Sequence, residues 1–178
     1  MSATLARLTV RPPPLATATR AQALADGAVR ALVAEAMLTP KPALVDQRGC
    51  GAHRDLTLTS LLRSARALRA SFHGMALAAE SGAADLALRE QLVALGRSAE
   101  RRMLVATSGS NAHRGAIWVI GLLVASLARL PATRTLSEVA ALAARLARLP
   151  DRHSRTPPSN GARACRRFGV GGARGSTR

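Results

Sequence analysis

Apolar residues recur at helical spacing through most of this chain, and they pause at two places. Between about Thr19 and Leu38, the residues Leu24, Ala28, Leu32, Val33 and Ala36 share one face, which predicts a first helix. Pro40 and Pro42 stop it, because proline lacks the N–H and disfavours helix at the residue before it. A second helix is predicted from the Thr57 to Ser60 region to about Ala79, with Leu61, Leu62, Ala65, Leu68, Phe72 and Met75 as its stripe. Ser81-Gly82 breaks the chain, and a third helix follows over about Ala84 to Val105 with Leu88, Leu92, Leu95, Ala99 and Met103 inward. A fourth, Ala116 to Leu130, carries the uncharged run from Gly115 to Ala128. That run is too short to span a bilayer comfortably and reads as a buried core helix. A fifth, Thr135 to Leu149, opens on the capping box TLSE, with Thr135 as cap and Glu138 reaching back, and ends at Pro150.

The pattern contains no strand alternation and no solenoid-length repeat. It predicts an all-α fold: one helical bundle of about five helices, with two long functional loops converging at one end. Residues 1–18 read as a disordered arm containing Pro12-Pro13-Pro14, residues 19–150 as the helical domain, and residues 151–178 as a loop or tail of the same domain. The 178 residues suit one domain. Hydrophobic content of 48% is mostly Ala, Leu and Val, with aromatics at 2%, a composition of strong helix formers.

Charge adds the first hint of function. The net charge is +16, which implies polyanionic company, although a general bias towards Ala and Arg accounts for part of it. Lys41 is the only lysine among 26 basic residues. A lysine is a compact point charge suited to phosphate, whereas Arg is a planar fork. Cys50 and Cys165 lie far apart, which is neither a disulfide scaffold nor a zinc signature. The first residues lack an apolar signal segment, so a cytoplasmic protein without a membrane anchor is expected.

The two pauses carry the candidate chemistry. The first, TPKPALVDQRGCGAHRD, gathers Lys41, Asp46, His53, Arg54 and Asp55 into a long loop without a period. Lys41 and Arg54 are suited to phosphates, and Asp46 and Asp55 to a shared divalent cation such as Mg²⁺. Either aspartate, or His53, has the chemistry of a general base. The same residues have ordinary uses too: Asp55 as the cap of the second helix, and His53 as a hydrogen-bonding partner within the loop. The second pause, TSGSNAHRG, feeds Ser108, Gly109, Asn111, His113 and Arg114 into a helix N-terminus. Free N–H groups and the helix dipole there favour an anion. The ordinary alternative is that Ser110 or Asn111 simply caps the helix.

Other matches fail. His53-Arg54-Asp55 copies the kinase HRD tripeptide, but no Gly-rich loop, VAIK strand or DFG accompanies it. The tail GVGGARG lacks the strand and the Lys-Ser/Thr of a phosphate-binding loop. Scarce aromatics remove the stacking platforms of a single-strand binder, so nucleic acid is an unlikely partner. A basic helical nucleic-acid-binding or adaptor protein remains the rival class, marked by steep salt dependence.

Taken together, EAMLTPKPALVDQRGCGAHRDL from Glu35 to Leu56 and ERRMLVATSGSNAHRGAIWVIGLL from Glu100 to Leu123 resemble the two signatures of the triphosphoribosyl-dephospho-CoA synthase family. GARACRRFGVGGAR, residues 161–174, is similar to a third stretch and tilts the resemblance to the malonate decarboxylase branch over citrate lyase. The family usually has Gly-Gly where this chain has Ser108-Gly109, a Val where it has Ser110, and a Thr where it has Ala112. Its members also continue past residue 174 with an acidic stretch, so the chain resembles a truncated member, and an inactive fragment of the synthase is an alternative. The resemblance implies a transferase. In it, the 2′-hydroxyl of dephospho-CoA attacks the anomeric carbon of ATP, adenine leaves, and the triphosphate stays on the transferred ribose. A downstream transferase then loads the product onto an acyl carrier protein. The implied site uses Lys41, Arg54, His113 and Arg114, with Ser108 and Gly109, for phosphates. Asp46 and Asp55 serve Mg²⁺ or act as base beside His53; Glu35 supports the loop and Asn111 positions the ribose or caps the phosphate loop.

Overall fold

The computed structural model describes residues 19–83, 85–151 and 167–169. The expected arm at 1–18 and most of the expected tail lie outside them. The described residues form helices α1 (Arg20–Met37), α2 (Leu58–Ala67), α3 (Arg69–Glu80), α4 (Asp85–Ala106), α5 (Arg114–Arg129) and α6 (Leu136–Arg148), with no named strand among them. None of these helices is long and apolar enough to cross a membrane.

Local chemistry explains the boundaries. Thr19, Thr57 and Thr135 each take up extended backbone and accept the N3 amide, from Gln22, Ser60 and Glu138 respectively, and each N3 side chain reaches back to the cap. These three capping boxes satisfy amides that would otherwise have no partner in the first turn. The second predicted helix is divided at Leu68, where the hydrogen-bond ladder tightens: the Leu68 amide reaches Ala65 O at 3.3 Å, and α3 restarts from Leu68. The apolar stripe runs straight through this break, since Ala65, Leu68, Phe72 and Met75 are all buried.

Helix α3 packs against α1, α4 and α5, while α6 covers α5 and part of α4. The core is built from Leu68, Phe72, Met75, Leu88, Leu92, Met103, Ile117 and Leu146 among many alanines. Small residues let the helices approach closely. At Gly121 on α5 a Cβ would lie 2.6 Å from Met75 Sδ on α3. A second, smaller cluster of Ala36, Val45, Leu56 and Leu61 sits under the loop between α1 and α2. Ala112 packs against both clusters and so ties that loop to the start of α5.

This packing separates interior from surface sharply. Phe72→Ala, at a fully buried position, should cost about 3–5 kcal/mol. Val119→Ala, on the exposed side of α5, should stay within about 0.5 kcal/mol. Urea denaturation of both variants against the parent checks the pair.

Candidate functional site

The first loop is organised by one carboxylate. Asp46 is only 3% exposed. Its Oδ2 accepts the Lys41 amide at 2.9 Å and Arg48 Nε at 3.0 Å, and its Oδ1 accepts the Arg48 amide at 2.8 Å. Arg48 Nη2 also lies 2.8 Å from Oδ2. The Arg48 guanidinium first, then the Lys41 amide, hold this carboxyl well below the usual carboxylate range. Asp46 pairs its backbone with Gly49 to close a small turn. A preceding turn runs from Lys41 to Leu44, with Pro42 at its second position and Ala43 at φ +62° at its third, the pattern of a type II turn. Gly51, at φ +57°, lies so close that a Cβ would meet the Ala43 carbonyl at 2.6 Å. Lys41, Ala43, Leu44, Asp46, Arg48, Gly49 and Gly51 line a cleft of about 260 Å³.

Lys41 folds back over the end of α1. Its Nζ donates to Glu35 O at 3.0 Å and to Glu35 Oε1 at 3.1 Å, and its side chain is 12% exposed. A cation at the last turn of a helix meets the negative end of the dipole. Asp55 behaves differently from Asp46. Its side chain is 60% exposed and its carboxylate stands 3.7 Å from His53 Nδ1. The cap of α2 is Thr57, which leaves the Asp55 oxygens uncommitted to that helix. Arg54 is exposed, with no ion pair among the described residues.

The second loop begins with the end of α4. The Gly109 amide reaches back to Leu104 O at 2.7 Å and the Ser108 amide to Val105 O at 3.4 Å, the paired bonds of a Schellman cap. Ser108 therefore occupies the left-handed position, at φ +55°, where glycine is usual. Buried Thr107 donates its hydroxyl to Met103 O at 2.9 Å. Ser110 Oγ donates to Asp55 O at 2.9 Å, which joins the two loops directly. Asn111 Oδ1 accepts the Arg114 amide at 3.2 Å and so takes up one amide of the first turn of α5. Arg114, half exposed, pairs with Glu100 at 3.4 Å.

His113 stands at the centre. It is 6% exposed. Its amide donates to Met103 Sδ at 3.1 Å and its Nδ1 lies 2.8 Å from Ser64 Oγ of α2. Burial lowers its pKa from the ordinary 6.5; Glu35 pulls it up and Lys41 pushes it down. Both loops and the end of α1 thus act on one imidazole. Ser64, Arg48 and Thr107 are not among the candidate site residues read from the sequence, and Met103 is expected there only as an inward-facing residue of the third predicted helix. Ser64 carries one weak signal in the sequence, a hydroxyl set between Leu61 and Leu68 on an apolar stripe. The two aspartates expected to share a cation have different environments, since Asp46 spends both oxygens on the loop. Among the described residues no three His, Cys, Asp or Glu side chains gather as a metal cage.

A model of one family, described as ATP:dephospho-CoA triphosphoribosyl transferase, matches residues 21–174. A relative in Azotobacter vinelandii, a probable 2-(5''-triphosphoribosyl)-3'-dephosphocoenzyme-A synthase, is 54% identical over 89% of this chain and 55% of its own length. A Klebsiella pneumoniae synthase of the same description is 48% identical over 90% of the chain and 58% of its own length. A probable synthase in Stutzerimonas stutzeri is 54% identical over 86% and 53%. The chain spans a little over half the length of the curated relatives it matches. No solved structure matches the chain.

Two outcomes follow from the loop geometry. Ser108→Gly should raise stability by roughly 0.5–1 kcal/mol, because glycine removes the left-handed strain at a cost in chain entropy smaller than that strain; denaturant midpoints measure it. His113 is kept neutral by burial, so its folded pKa lies below its unfolded value near 6.5. Its contribution to stability is complete above that value. It is lost as pH falls, because the unfolded chain then binds the extra proton, with a slope of at most about 1.4 kcal/mol per pH unit. Unfolding free energies at pH 7.5 and 5.5 should show this fall in the parent and a smaller one in His113→Gln.

Proposed function

The chain belongs to the ATP:dephospho-CoA triphosphoribosyl transferase family, and on that premise we propose that it transfers the triphosphoribosyl group of ATP to the 2′-hydroxyl of 3′-dephospho-CoA with release of adenine. The observation that supports this reading is the convergence of the two loops. Ser110 bonds to Asp55 O, and His113 feels both Glu35 and Lys41. A triphosphate that must be held and not cleaved needs several cationic and amide donors at one place. The start of α5, Arg114, Arg54 and Lys41 supply that kind of surface. Lys41 reaches the phosphates only by loosening its hold on Glu35, whose side chain is half exposed.

The reaction breaks an N-glycosidic bond and forms an O-glycosidic one at the same carbon. The attacking hydroxyl must lose its proton, and the departing adenine must gain one or a hydrogen bond. Asp55 is the carboxylate open to the first task, with His53 beside it to share the proton. Asp46 we assign to holding the loop in shape. Mg²⁺ would arrive with the triphosphate and be held mainly by phosphate oxygens, with Asp55 touching it at most through a water. When bound it would neutralise phosphate charge. The product would pass to a transferase that loads an acyl carrier protein, of malonate decarboxylase or citrate lyase. These steps belong to the cytoplasm.

Mixing the full chain with ATP, Mg²⁺ and dephospho-CoA should release adenine only when both nucleotides are present. Asp55→Asn should lower that turnover by about 10²-fold or more while ATP affinity changes by less than about threefold. ATP binding that depends steeply on salt and equally on any polyanion would instead return the protein to the nucleic-acid class.

A further inference from the structure

Ser64 has no role in the chemistry above, yet its environment is unusual. It is fully buried on α2, and its hydroxyl has one hydrogen-bond partner among the described residues, Nδ1 of His113 at 2.8 Å. A buried hydroxyl carries one proton, and that proton must be spent on an acceptor. No backbone carbonyl of α2 takes it, in contrast to Ser60, whose hydroxyl donates to Thr57 O at 2.8 Å. The Ser64 proton therefore goes to Nδ1. A ring nitrogen that accepts a hydrogen bond carries no proton, so the neutral imidazole bears its proton on Nε2. Nε2 is buried and has no hydrogen-bond partner among the described residues. The rest of the residue is pinned as well, since the His113 amide is held by Met103 Sδ at 3.1 Å. Backbone and ring are both fixed, and one buried donor is left over on the N-cap residue of the sixteen-residue helix α5, next to Arg114 in the chain and within the field of Glu35 and Lys41.

We infer that Ser64 is a positioning residue that locks His113 in the Nε2–H tautomer, so that His113 offers an uncharged hydrogen bond to an acceptor oxygen of the bound nucleotide's triphosphate. This rests on the nucleotide reading above for its ligand, while the tautomer itself can be observed without any ligand. The device has a physical use. A molecule of net charge +16 does not lack cations for a polyphosphate. A neutral donor adds direction without adding charge that would slow product release.

The test is ¹⁵N NMR of the imidazoles in the full chain at pH 7.5, with His113 assigned by its loss in His113→Gln. The ligand-free protein should show the His113 proton on Nε2, and Ser64→Ala, a small helix-favouring change, should turn this into a mixture of tautomers. Saturating ATP should shift the Nε2–H resonance in the parent, and Ser64→Ala should weaken ATP binding by about threefold to tenfold. A proton on Nδ1 in the parent, or a tautomer unchanged by Ser64→Ala, overturns the positioning role even if the variant is less stable. An Nε2–H signal unmoved at saturating ATP overturns the donor role. If ATP fails to bind at all, the donor role falls with the nucleotide reading, and the ligand-free spectra still decide Ser64.

Discussion

The chain between Met37 and Leu58 has no helix or ladder in which to spend its amides, and the carboxylate of Asp46 stands in for both. It collects two backbone amides and a guanidinium from residues on either side of itself, so the loop closes around its own charge. An isolated buried carboxylate would be costly, and this one is made tolerable because every donor it needs comes from within a few residues. With the loop shaped in this way, Val45 and Leu56 can enter the small apolar cluster that Ala36 and Leu61 complete. The site end of the molecule depends on that local arrangement more than on the main core.

The bundle supplies the frame. Alanine, serine and glycine at the contacts bring the helices close, as at Gly121 against Met75, and close helices put their ends close too. The end of α1, the end of α4 and the start of α5 meet over Ala112. A helix C-terminus attracts cations and a helix N-terminus attracts anions. At this meeting Lys41 answers the first and the α5 start is left for the second. Burying a histidine between them produces a neutral ring in a strongly basic protein, because desolvation outweighs the pull of Glu35.

Much of this was legible beforehand. The helix limits at Thr19, Leu38 and Thr135 agree with the caps observed, because caps and proline stops are written in adjacent residues. The two loops stood out because they interrupt a period. The break at Leu68 was not legible, since the apolar spacing passes through it without a gap. Nor was the division of labour between Asp46 and Asp55. Both are short carboxylates in the same loop, and only the fold turns one inward and leaves the other in solvent. The Ser108-Gly109 pair was visible in the sequence, but its meaning came from the left-handed φ that the Schellman cap imposes on Ser108.

The sequence alone determined an all-α protein, the helix ends marked by caps and prolines, its basic charge and the residues that crowd the two loops, because each of these follows from interactions over a few positions. The tertiary structure decided which of those residues face one another. The Ser64 hydroxyl and the His113 ring are 49 positions apart, and Ser110 meets Asp55 O across 55. Contacts of that separation depend on how helices cross and how far their ends overlap. That geometry is set by the summed packing of buried alanines, leucines and methionines, and no single motif encodes it.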